Sequence, residues 1–324
     1  MTMLHLGHRR NPCACFRTLS LALCSVLSIC EQAQSQQPAT TTSRADIAQE
    51  RHMIDVAEHE HLSNAKVAYL WGRLAINYTA QADFVRSEDA YFHAIHLLSE
   101  SPESANNYAT LLDNLGVLYL VYDRRAEAEQ YLKEAFTARR RLGDSVALGI
   151  SQVHLAQLAL ANHKFKQAEK IAIEAQADLS TAGDPGKAGL IGALVSLAYA
   201  RCAQNKCTEG LRDADQAMEL SRLIYPSDSL PTGHVLMAMG FARWKSGDNN
   251  AAEKLMLEGI HIITTRNAQG VPYSRLALLE YRDFLKDMHR TPDVKRIDDQ
   301  LAQSTPQQCG NCTVNVSNMS NALR

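Results

Sequence analysis

The chain is poor in the residues that break helices and turn chains: 16 glycines and 9 prolines in 324 residues. That is fewer than one residue in ten, against roughly 12% in an average chain, and it argues for long helices. There is no excess charge of either sign. Lys and Arg number 33 against 35 Asp and Glu, a formal charge of −2, so bulk charge draws the chain neither to nucleic acid nor to an anionic membrane. The motifs of the common catalytic sites are also absent. No H-E-x-x-H, G-x-S-x-G, phosphate loop or G-x-G-x-x-G occurs, so nothing specific speaks for an enzyme or a cofactor. At 46% hydrophobic and 21% charged residues, the composition is globular and argues against wholesale disorder.

The longest early apolar run, Leu19–Ile29, has about eleven residues, too few for a bilayer, which takes about 20. Before it stand His8, Arg9, Arg10 and Arg17 with no acid. After it, Ala33 and Ser35 sit at minus three and minus one of a cut before Gln36. These features predict a secretory signal peptide over 1–35, and hence an exported chain, periplasmic or extracellular, with no stable membrane insertion after cleavage. A lipid anchor at Cys24 or Cys30 fits worse, because Leu23 and Ile29 stand where that signal wants a small residue. Residues 36–44 form a polar linker. Cleavage would remove Cys13, Cys15, Cys24 and Cys30 and leave Cys202, Cys207, Cys309 and Cys312, an even set that makes disulfides plausible in an exported protein.

Self-similarity dominates the rest. Leu115-Gly116-x-x-Tyr119 followed by Ala128, Leu132 and Ala135 recurs 41 residues earlier as Leu74-Ala75-x-x-Tyr78 with Ser87, Tyr91 and Ala94. It recurs 40 residues later as Leu155-Ala156 with Ala168, Ala172 and Ala175, then after 42 as Leu197-Ala198 with Gly210, Ala214 and Ala217. A further 42 gives Met239-Gly240 with Ala252, Met256 and Gly259. Each set marks two helices by its period near 3.6. The polar strings between them, around Asp123, His163, Asn205 and Gly247, are tight turns. A hairpin of this kind cannot bury its apolar face alone, so the units must stack.

These residues resemble the tetratricopeptide repeat (TPR) family, whose first helix carries Leu-Gly-x-x-Tyr and whose second carries spaced alanines. Residues 114–135 match nearly throughout, and 239–259 match well. The 40–42-residue period, longer than the usual 34, is similar to the long-helix variant of kinesin light chains. The resemblance implies an all-α, right-handed superhelical solenoid of antiparallel helical hairpins over 45–304. It comprises about five repeats, a leading helix at 45–62 and a closing pair at 273–289 and 292–303; the tail at 305–324, short of apolar residues, is expected to be disordered. It also implies a concave groove, lined by the first helices, that holds a protein or peptide. Carried over by position, the groove residues are Tyr69, Arg73, Asn114, His154, Gln157, Tyr199, His234, Phe241 and Trp244. The carboxylate-gripping cations of the chaperone-tail clamp are missing: Gly72, Ile76, Ile150 and His154 stand at those sites, and only Asn114 fits.

The expected role is therefore an interaction scaffold or adaptor, without catalytic residues, metal or nucleic acid. A regulatory module serving a separate enzyme is a variant of it. The alternative is a thiol-dependent redox or metal-handling protein using Cys202, Cys207, Cys309 and Cys312. Cys202 and Cys207 flank a predicted turn and are candidates for a cross-turn disulfide. Cys309-Gly-Asn-Cys312 lies in the polar tail beside Asn311, Asn315 and Asn318, each in an N-x-S/T triplet. His59 and His61 cannot share a helix face, and His93 with His96 lacks a third metal ligand.

Overall fold

A computed structural model describes residues 44–99, 104–266 and 272–303. The predicted leader, most of the predicted linker, and the tail with Cys309, Cys312 and its three N-x-S/T triplets lie outside the described residues. Within them the chain forms thirteen α-helices, a short 3-10 turn at Asp184–Gly186 and no strand. A leading helix, α1 (Arg44–His59), precedes six consecutive pairs. These are α2 (Asn64–Ala80) with α3 (Phe84–Leu98), α4 (Ala105–Val121) with α5 (Arg125–Leu142), and α6 (Ser145–Ala161) with α7 (Phe165–Thr181). Then come α8 (Lys187–Ala203) with α9 (Cys207–Ile224), α10 (Leu230–Lys245) with α11 (Asn249–Arg266), and α12 (Pro272–Asp287) with α13 (Thr291–Gln303). Among the described residues no helix is long and apolar enough to cross a membrane.

The backbone shows the repeat more cleanly than the side chains do. Inside every pair the turn contains one residue in the left-handed region: Ala82, Asp123, His163, Asn205, Gly247 and His289. The amide of the next residue bonds the carbonyl five positions back, as in Asp83 to Tyr78, Lys164 to Ala159 and Arg290 to Leu285, at 2.8–3.0 Å. This closure satisfies carbonyls that the ending helix leaves open. Its presence at His289 shows that the closing pair repeats the geometry of the five units before it.

The recurrent small residues sit where each pair is tightest. A Cβ on Gly116 would come 2.7 Å from the Leu132 side chain, and one on Gly240 2.7 Å from that of Met256. Ala75, Ala156 and Ala198 occupy the equivalent buried sites. Close contact between alternate helices is confined to the first helices of the pairs, α2 with α4, α4 with α6, α6 with α8 and α8 with α10. The second helices diverge. A layer whose members touch is the inner, concave layer of a curved stack, and the layer that spreads is the outer one.

Candidate functional site: the inner face

The later inner helices, α8 and α10, are buried nearly all round. On α8, thirteen of seventeen residues are enclosed, and α10 matches this. The nine residues expected to line an open groove fall accordingly into two sets. Tyr69 on α2 is 64% exposed. Arg73, one turn on, stands over its ring at 5.9 Å and pairs with Glu50, while Asn114 is half-buried. His154, Gln157, Tyr199, His234, Phe241 and Trp244 are buried. These six of the expected groove residues are thus enclosed rather than open, for two physical reasons.

The first concerns His154. Its Nδ1 bonds Asp113 Oδ2 at 2.7 Å, and Arg139 Nη1 reaches the same oxygen at 3.0 Å. Ser151 Oγ donates to Asp113 Oδ1 at 3.1 Å, and Arg139 also donates to the Ala147 carbonyl and to Thr110 Oγ1. Burial alone would raise the Asp113 carboxyl. The charges of His154 and Arg139, and the hydrogen bonds from His154 and Ser151, outweigh it and hold the group down at about 2. This enclosed network fastens α4, α5 and α6 together, so His154 is a structural tie.

The second reason is α12. Its backbone packs on α11 and α13, and its side chains reach across the inner face. Leu276 belongs to the apolar cluster otherwise built from α1 to α6, whereas Ala277, Tyr281, Phe284 and Leu285 belong to the cluster that runs from α6 to the last helix. One helix joins both clusters only by lying over the concave side. There Tyr199 Oη donates to both Glu280 oxygens, at 3.0 and 3.2 Å. Trp244 Nε1 donates to Asp287 Oδ2 at 2.8 Å. The Tyr273 ring lies 6.3 Å from that of His234. An aromatic chain links the layers, from Tyr199 to Phe241 at 4.8 Å, to Trp244 at 5.8 Å, and edge-on to Phe284 at 5.8 Å. Such contacts add to the area they bury.

Two buried polar side chains of the inner helices lack hydrogen bonds. Neither amide atom of Gln157 and neither ring nitrogen of His234 has a hydrogen bond, and burial pulls the His234 imidazole down to about 3. Buried polar groups of native proteins are overwhelmingly paired, so these two are suited to a hydrogen-bonding ligand or to water. Glu280, Phe284 and Asp287 were missed by positional carry-over, which stopped at the fifth unit. An acid inside the apolar stripe Leu276–Leu279–Glu280 was the available signal.

Glu280 supplies a measurable consequence. Burial first, with a smaller contribution from Asp283, raises its carboxyl to about 8 against the opposing Tyr199 hydrogen bond and Lys245 charge. The folded chain thus keeps a proton that the unfolded chain releases above 4.5. Stability from this group is fully present below 4.5, declines as pH rises and levels off above about 8. Glu280→Gln, which retains an acceptor for Tyr199, is expected to melt higher than the parent at pH 8 and to lose most of that pH dependence. Parallel slopes from pH 5 to 8 would show that Glu280 is not the titrating group.

Consecutive helix pairs with a left-handed residue in each turn, a touching inner layer and small residues at the crossings make this a TPR-like helical-repeat protein. No protein-family model matches the sequence, and no curated protein matches it. Solved structures do. A Rap protein complexed with competence and sporulation factor superposes with a TM-score of 0.63 at 12% identity, covering 80% of this chain and 70% of that one. NprR in complex with its cognate peptide NprX gives 0.59 at 12%, covering 92% and 85%. TPR-like repeats of a putative kinesin light chain from Podosopora anserina give 0.46 at 15%, covering 60% and 93%. At such identities the likeness is one of fold.

Proposed function

We propose that the chain is an interaction scaffold whose inner face holds a peptide or protein segment, and that α12 occupies part of that face when no partner is bound. The observation that carries this reading is the seating of α12 itself. The inner face already grips a chain segment through an aromatic series and hydrogen bonds to two carboxylates, and leaves Gln157 and His234 without hydrogen bonds. Aromatic anchors flanked by polar groups are what a peptide site needs. The complexes of the two similar folds, NprR with its peptide and the Rap protein with its factor, support it. The exposed end of the face, Tyr69 and Arg73 on α2, is the natural point of entry. A non-catalytic role outside the cytoplasm, with no affinity for nucleic acid, completes the proposal and rests on the predicted leader, the missing catalytic motifs and the charge balance.

Site-specific photocrosslinking tests it. A benzophenone side chain at Tyr69 is expected to capture a discrete partner in the source cells. The same group at Leu257, exposed on the outer helix α11, should capture none of it. Equal labelling from both positions, or none from 69, rejects the groove.

A further inference from the structure

The α8–α9 turn carries two free thiols five residues apart. Cys202 is 3% exposed, near the end of α8. Cys207 is half-buried and opens α9, an eighteen-residue helix whose N-cap, Lys206, offers no side-chain hydrogen bond to the first turn. The Cys207 Sγ lies 3.7 Å from the Cys202 carbonyl oxygen, and the two thiols are close enough for each to shift the other's titration. The turn of the next pair presses on the same spot, with Ser246 and Lys245 near enough to Cys207 to act on its thiol. The disulfide expected across this turn is therefore not formed in the structure, but Cys207 Sγ reaches the Cys202 backbone.

Their environments divide the labour. The hydrogen bond from Cys202, then that from Ser246, and the charge of Lys245 lower the Cys207 thiol to about 7 against the effect of burial. Cys202 moves the opposite way, raised by its bond to Cys207 and by burial. A half-exposed thiol at a helix N-terminus beside a cation is a nucleophile, and an enclosed, protonated one next to it is a resolving partner. Room for the second sulfur is built in. A Cβ on Gly210 would come 2.6 Å from Cys202 Sγ, so only glycine leaves the sulfur its present seat facing the turn.

We propose that Cys202 and Cys207 form a redox site, oxidised by hydroperoxides to a disulfide that staples α8 to α9. The Cys207 thiolate attacks the peroxide, taking one oxygen to become a sulfenic acid and releasing the alcohol, or water from hydrogen peroxide. The Cys202 thiol then attacks that sulfur, forming the S–S bond and expelling water. In sum two thiols and one hydroperoxide give one disulfide, one alcohol and one water. The staple lies beside Lys245, whose Nζ sits 3.3 Å from the centre of the Trp244 ring. The site thereby adjoins the aromatic series that holds α12.

The full-length chain is reduced with dithiothreitol, freed of it and treated with stoichiometric hydrogen peroxide, and the thiols are mapped by alkylation and peptide mass spectrometry. The expected product is a Cys202–Cys207 disulfide lacking two hydrogens. Before oxidation, iodoacetamide at pH 7 should modify Cys207 at least tenfold faster than Cys202. In Cys202→Ser, dimedone should trap a sulfenic acid at Cys207; in Cys207→Ser, Cys202 should stay reduced. The proposal is overturned if both thiols survive oxidation of the parent chain, if Cys207 passes to sulfinic acid with Cys202 still free, or if Cys207 pairs instead with Cys309 or Cys312. The mapping of the parent chain decides the matter even if a variant folds poorly.

Discussion

Asp113→Ala is expected to destabilise the chain by about 3–5 kcal/mol, the range for removing one partner from a buried ion pair. The cost arises from what the substitution leaves behind. The Arg139 and His154 side chains are 5% and 3% exposed, and without the carboxylate the guanidinium stays buried with no counter-charge. The pH dependence distinguishes this from simple loss of packing. Asp113 is lowered from 3.8 to about 2, so its contribution is complete above 3.8 and is lost as pH falls through 2. Urea unfolding should therefore show a large gap between parent and variant at pH 7 that narrows below pH 4. Asp113→Asn, which keeps hydrogen-bond acceptance but not charge, should fall between them. A gap below 0.5 kcal/mol at pH 7 would reduce the network to a bystander. Because the network joins three helices in the middle of a nearest-neighbour array, the variant should also unfold in two steps where the parent shows fewer.

The repeat was legible because packing writes it into the sequence. The crossings of paired helices admit only small residues, so Gly116, Ala156, Ala198 and Gly240 recur at fixed spacing whatever the chain does. The turn strings around Asp123, His163, Asn205 and Gly247 were legible for the same reason, and the structure places a left-handed residue at each. The sixth turn was less visible. His289 has no turn-forming signature of its own, and a closing unit drops the inter-unit residues that define the motif. The state of the inner face was not legible at all. Position within a repeat tells which way Tyr199 or Trp244 points, but not whether another helix lies on top. That depends on the pitch of the whole stack and on how far α12 leans inward, which are sums over many small packing choices. Asp113 and Arg139, 26 residues apart on different helices, likewise meet only once the pitch is set.

Phe284→Ala isolates the role of α12. The ring is 1% exposed, meets the edge of Trp244 at 5.8 Å and stacks on Tyr281 at 6.0 Å, so its removal is expected to cost about 3–5 kcal/mol. In a linear array that loss falls where it is made. The closing pair α12–α13 ends the array, and its hold on α8 and α10 runs through Phe284, Glu280 and Asp287. The variant should therefore free this pair while α4 to α9 remain folded. Hydrogen exchange should accelerate over residues 273–303 and stay slow in α6. The chain has two tryptophans, and the other, Trp71, stacks on His93 at 4.6 Å in the first pair. A red shift and readier acrylamide quenching would therefore report on Trp244 alone. Uniform loss of protection along the chain would show that α12 is an ordinary part of the core. If α12 competes with a partner, its release has a further effect. A ligand that must wait for a rarely open face binds more weakly by the fraction of time the face is open. Freeing α12 raises that fraction, so the less stable variant should capture its partner through position 69 more efficiently than the parent. Damage to a site lowers affinity and stability together, and only the removal of a competitor moves them in opposite directions.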